Sequence, residues 1–200
     1  MSISVGLVEP AVHVEFPGLR LHWIVLEARV RASPHEVERR LRELSDRYLG
    51  AGVVAMRTKP IPHAYRSFFR QVGLDPDESR IPSEEAAVRR LLHGGFRSRD
   101  LLEDARLIAL VETGVPVWAL DASLVDQDSL GIRITAGRLV VADSACVHAT
   151  LFDEPQPGHV PGRGTRRILL FAVGVEGVPA IHLEESLWMA CDVIGSGYAP

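Results

Sequence analysis

Apolar residues before position 116 recur mainly three and four places apart, whereas beyond it they gather in short β-branched runs. The first spacing suits one face of a helix and the second suits sheet strands. Residues 12–31 depart from this division and predict one or two strands. The stretch 13–16 stops at Pro17-Gly18, and the near-continuous apolar run 21–28 suits a strand covered on both faces. Ser33-Pro34-His35-Glu36 then predicts a helix start, with serine as cap, proline in the first turn and glutamate closing a capping box. Val37, Leu41, Leu44 and Tyr48 share a face until Gly50 stops the helix. A second helix carries Tyr65, Phe68, Phe69 and Val72 and ends at Gly73. Ser83 reads as the cap of a third, with Glu84 and Glu85 in its first turn and Gly94-Gly95 at its end. Asp100 and Glu103 form the capping box of a fourth, which runs to Gly114.

Strands are predicted over 116–120, 131–135, 138–142 and 168–173, with a last short one over 181–183. A Pro/Gly-rich exposed loop is expected over 153–164, and 195–200 reads as a frayed tail. Helices packed on a mainly antiparallel sheet make an α+β fold, expected as a single domain over 1–200.

Composition narrows the function classes. The chain has 200 residues, 46% of them hydrophobic, which supplies a core of useful size. A net charge of -4 argues against a protein that holds nucleic acid mainly through a basic surface. Of its 22 cationic residues, 21 are Arg and only Lys59 is Lys. Arg suits forked phosphate contacts, so a local basic patch stays open beside the plainer reading of genomic base composition. Cys146 and Cys191 stand far apart in no paired motif, which predicts free thiols in a reducing compartment. With neither a signal-peptide pattern nor a membrane-length apolar run, the sequence predicts a cytoplasmic protein with no membrane partner.

Three blocks carry a resemblance. The first is Pro62-His63-Ala64-Tyr65-Arg66-Ser67-Phe68-Phe69, followed by Gly73-Leu74-Asp75-Pro76 and by Ile81-Pro82-Ser83-Glu84-Glu85-Ala86 with Arg89-Arg90-Leu91. The second is Gly114-Val115-Pro116-Val117-Trp118-Ala119-Leu120-Asp121, preceded by Asp104-Ala105 and Glu112. The third is Phe171-Ala172-Val173-Gly174-Val175-Glu176-Gly177, followed by Ile181-His182-Leu183-Glu184. Together they resemble free-standing proteins similar to the editing module of the phenylalanyl-tRNA synthetase beta subunit, its third and fourth structural domains. The resemblance covers roughly residues 55–190, behind a strand–helix extension over 1–54. It implies an α+β editing-domain-like fold and a trans-editing aminoacyl-tRNA deacylase, with tRNA or aminoacyl-tRNA as partner and no DNA. A non-catalytic tRNA- or amino-acid-binding module is the alternative, and a pocket for a free amino-acid derivative is a third reading. Ligase activity is not implied. Trp118 stands where bacterial editing sites usually carry histidine, and Leu107 where they usually carry asparagine.

Ester hydrolysis needs a positioned water, a proton acceptor and donors for the oxyanion. Glu184 matches the family's glutamate and is the expected functional carboxylate, with His182 on its face if the strand continues. A solvated strand-end pair with Glu185 is the competing reading for Glu184, and a satisfied, half-buried histidine is the competing reading for His182. Pro116, Trp118, Asp121, Gly174 and Gly177 are the expected substrate pocket. Trp118, a lone aromatic in an apolar run, reads more readily as core, Gly174 and Gly177 read equally as a tight turn, and Asp121 reads as a cap or the orienter of a neighbouring turn. Phosphate contacts are expected from Arg163, Arg166 and Arg167 on the loop. Arg89, Arg90, His93, Arg97 and Arg99 form a second cluster that can instead be a solvated face paired with Glu84, Glu85 and Glu103. Cys146 and His148 at strand spacing suggest a dyad, although such proximity predicts one poorly. None of the eight histidines falls in H-x-x-x-H or H-E-x-x-H spacing. No metal and no cofactor are expected.

Overall fold

The computed structural model describes residues 1–47 and 57–196. Tyr48 and Gly50, expected at the end of the first helix, lie outside the described residues. The chain opens with β1 (Ser4–Val5), β2 (Leu7–Val8), helix α1 (Pro10–Glu15) and the long strand β3 (Arg20–Glu27). The strand expected over 13–16 is therefore mostly the helix α1. Val12 and Phe16 are buried while Val14 is 84% exposed. That is the one-turn pairing of a helix started by Pro10, and alternation would have put Val14 and Phe16 on one face.

Helix α2 (His35–Arg47) turns Val37, Leu41 and Leu44 inward. Ser33 does not cap it. Its hydroxyl donates instead to Asp104 Oδ2, 2.5 Å away, and the Pro34 carbonyl closes the first turn by accepting from Val37 and Glu38 N–H. Helices α3 (Pro60–Gln71), α4 (Pro82–His93) and α5 (Leu101–Thr113) follow. Asp100 caps α5 as expected, accepting from Glu103 N–H at 3.0 Å. Ser83 does not cap α4, because Pro82 already occupies the first helical position, and the Ser83 hydroxyl is buried without a partner.

Strands β4 (Val117–Asp121), β5 (Gly131–Thr135), β6 (Arg138–Ala142), β7 (Val147–Thr150) and β8 (Arg167–Gly174) complete the sheets. Helix α6 (Ala180–Ser196) replaces the strand expected over 181–183, and Gly195 and Ser196 belong to it rather than to a tail. Leu183, Leu187, Ala190, Cys191 and Ile194 are buried at helical spacing, which a three-residue reading window could not reveal.

One sheet has the order β1-β3-β8-β4 and is antiparallel throughout. The other, β2-β5-β6-β7, pairs β2 with β5 in parallel and the rest antiparallel. The fold is α+β. The N-terminal segment is built into both sheets, since β3 lies in the first sheet's interior and pairs with β8 along its whole length.

In the first sheet, opposed residues share a face. Trp23, Phe171 and Trp118 point one way, while His22, Ala172 and Val117 point the other, with Gly174 two places beyond Ala172. Helix α6 packs on the second face. A Cβ at Gly174 would come within 2.9 Å of the Leu183 side chain, so glycine there lets α6 lie close. On the opposite face Trp118 stacks on Phe171 at 5.6 Å, and Phe152 joins Trp118 to Tyr65, Phe68 and Phe69 of α3. Among the described residues no helix is long and apolar enough to cross a membrane.

Candidate functional site

Strand β4 is the edge of the first sheet, and two of its outward groups are engaged. The Val117 carbonyl accepts from Arg106 Nε at 2.8 Å, and Asp121 N–H donates to the His159 carbonyl at 2.9 Å. Beside this edge lies a cleft of about 630 Å³, within the size range of small-ligand sites. Leu107, Leu110, Pro116, Trp118, Phe96 and Phe152 form its apolar part. Helix α4 and the following loop bring Arg89, Arg90, His93, Arg97 and Arg99 to it, and Arg80 comes from the segment just before the helix.

The charges along the cleft are unevenly paired. Arg89 is bonded to Glu85 at 3.1 Å, and Arg90 donates to the Ser45 carbonyl through Nε at 3.1 Å and Nη2 at 2.8 Å. Arg106 holds Glu154 bidentately at 2.9 and 3.0 Å and also bonds Glu103. Arg97 and Arg99 are exposed, and among the described residues no carboxylate pairs with either guanidinium. Their loop is fixed from beneath. Asp104 is 1% exposed and accepts from Ser33 Oγ, Ser98 Oγ and Arg99 N–H. A buried carboxylate with that many donors is satisfied and sets the loop's path.

The expected site residues divide between two places. Pro116 and Trp118 line the cleft together with Leu107 and the Arg89/Arg90 cluster. Glu184, His182 and Gly174 belong to the other side of the sheet, with α6. Glu184 Oε1 is 3.9 Å from His22 Nδ1, and His182 Nδ1 is 3.2 Å from Glu185 Oε2. Because 181–184 is helical, His182 and Glu184 stand two positions apart on a helix and do not face each other as on a strand. Gly177 takes a positive φ of 86° in the turn before α6. Asp121 accepts from Ser123 and Thr165, which makes it a cap. Trp118 stacks on Phe171, meets Phe152 at a tilt of 59° and is 3% exposed, so it closes the apolar end as a buried ring. Arg163, Arg166 and Arg167 are exposed but line no part of the cleft. Arg167 pairs with Glu27 at the far end of β8 from Gly174.

A second constellation sits where β6 turns into β7. Asp143 Oδ1 accepts from Ala145 N–H at 2.8 Å and Cys146 N–H at 2.9 Å, and Oδ2 from Asp126 N–H at 2.8 Å. His148 Nε2 lies 2.9 Å from the same Oδ2. Burial opposes ionisation of Asp143, but these donors outweigh it and hold the carboxyl well below the usual carboxylate range. The far nitrogen of His148, Nδ1, lies 3.1 Å from His159 Nδ1 and 4.0 Å from Cys146 Sγ. Burial and the Asp143 charge push the Cys146 thiol up.

The chain matches no protein-family model and no curated protein. Its two sites are therefore read from their own chemistry. The sequence pointed to the α4 arginines and to Trp118 without joining them. His159 was missed, since the end of β7 and an irregular loop separate it from His148 and no linear spacing signals such a meeting.

Proposed function

We propose that the cleft beside β4 receives the aminoacylated 3′ end of a tRNA and that the protein is a binding module for it. The observation that carries this reading is one juxtaposition. Pro116, Trp118 and Leu107, which belong to the segment resembling the synthetase editing module, lie beside Arg97 and Arg99, whose guanidinium groups no carboxylate pairs with among the described residues. An aminoacylated terminus has the matching parts: backbone phosphates for arginines, and a base and amino-acid side chain for an apolar recess. Arginine clusters bind phosphate by forked hydrogen bonds even on a protein with acidic net charge.

Binding without turnover is favoured over deacylation. Of the carboxylates lining the cleft, Glu103 and Glu154 are held by Arg106, Glu85 by Arg89 and Asp104 by its three donors, Asp153 is exposed, and Glu184 faces α6 and His22 on the other side of the sheet. The test is to incubate the protein with acceptor-stem RNAs charged with several amino acids, following both binding and loss of the ester. The reading expects salt-sensitive binding with ester loss at the uncatalysed rate. Accelerated ester loss, abolished by Glu103→Gln or Glu154→Gln, would restore the deacylase reading. No binding at low salt would remove both.

A further inference from the structure

We propose that Cys146 Sγ, His148 Nδ1 and His159 Nδ1 bind a zinc-class divalent cation, leaving a fourth position to water or another donor. One ligand atom from each of the three residues lies within 4.8 Å of the other two, and none of the three residues lines the cleft. Zinc bonds of about 2.0–2.1 Å to nitrogen and about 2.3 Å to sulfur set tetrahedral separations of about 3.3 Å for N–N and about 3.6 Å for N–S. The separations here, 3.1 Å for N–N and 4.0 Å for His148 N to S, fall close to those values. Two imidazoles and one thiolate also form a borderline-soft donor set that suits zinc rather than calcium or magnesium.

The hydrogen bonds around His148 point the same way. Asp143 takes three backbone N–H donors, so as an ionised carboxylate it can only accept from His148 Nε2. The proton of a neutral His148 then sits on Nε2, and the lone pair on Nδ1 faces Cys146 and His159. A carboxylate fixing the remote nitrogen of a histidine is the usual support behind a zinc ligand. The same three residues could suggest a Cys146–His148–Asp143 nucleophilic relay. Against it, His159 Nδ1 stands nearer to the His148 lone pair than the thiol does, at 3.1 Å against 4.0 Å. A cation on this site would fasten the loop carrying His159, whose carbonyl already holds the end of β4 through Asp121 N–H.

The experiment takes the full chain, strips it with chelator, and titrates it with Zn²⁺ and separately with Co²⁺. One equivalent of metal per chain is expected. The cobalt form should show a thiolate-to-metal charge-transfer band and d–d bands of tetrahedral intensity. His159→Ala and Cys146→Ala, at partly accessible positions that leave the sheets intact by circular dichroism, should each weaken zinc binding beyond the roughly 10–100-fold typical of second-shell losses. Cys146→Ala should also abolish the charge-transfer band, and bound zinc should protect Cys146 from iodoacetamide. The proposal is overturned if zinc binds no better to the wild type than to the double variant, or if Cys146 alkylates equally fast with and without zinc. Neither result bears on RNA binding in the cleft.

Discussion

His22 lies under α6 with no hydrogen bond to Nδ1, and Glu184 stands 3.9 Å away. Burial lowers its pKa first of all, Glu184 draws it partly back up, and Arg20 lowers it further. The folded-state value is thus below the unfolded one, so the unfolded chain takes up the proton first on acidification. This contribution is complete above the ordinary histidine value, near pH 6.5, and declines as the pH falls below it. His22→Gln should flatten that decline in thermal melts, and Glu184→Gln should steepen it while leaving RNA binding unchanged. Loss of RNA binding in Glu184→Gln would return this residue to the site. Trp118, stacked on Phe171 and packed against Phe152, is expected to cost about 3–5 kcal/mol in urea unfolding when replaced by Ala. Glu184 was legible as a notable residue but not as a neighbour of His22, because its role depended on whether 181–184 was strand or helix.

At the scale of elements, several residues of the family-like string turn out to hold helices together. Arg66 is 6% exposed, with Nη1 at 2.8 and 2.9 Å from the Glu84 carboxylate and Nη2 at 2.9 Å from Asp77. Arg57 reaches the same two acids at 3.2 and 3.1 Å. Tyr65 O–H donates to the Val173 carbonyl at 2.8 Å and fastens α3 to β8. Arg66→Met leaves Glu84 buried without its closest partner, so a loss of about 3–5 kcal/mol is expected in denaturant unfolding. A loss below 1 kcal/mol would show that Arg57 takes over. Helices α3, α4 and α5 were legible because proline at the start of α3 and α4, acidic first turns in α4 and α5 and closing glycines in all three agree with their apolar spacing. Helix α6 lacks such a start signal and is buried along much of its length, so its first turn reads as a short strand. The two-residue strands β1 and β2 carry no pattern of their own and exist only through pairing with β3 and β5.

Over the whole molecule, a net charge of -4 coexists with a stretch of the cleft where Arg97 and Arg99 stand, among the described residues, without carboxylate partners. The α+β class was legible from the change of pattern near residue 116. The position of the cleft was not, because it depends on which face of one sheet each strand residue takes. Arg97→Ala and Arg99→Ala should each lower the salt slope of single-stranded RNA-end binding by about 0.7, the share of one phosphate contact, whereas Arg163→Ala and Arg166→Ala should leave it unaltered. Hydrogen exchange of the protein with and without a charged acceptor-stem RNA tests the location directly. Protection over 86–107 and 115–118, with 163–167 and 180–186 unchanged, is the predicted result; protection confined to α6 or to the 163–167 loop would contradict it.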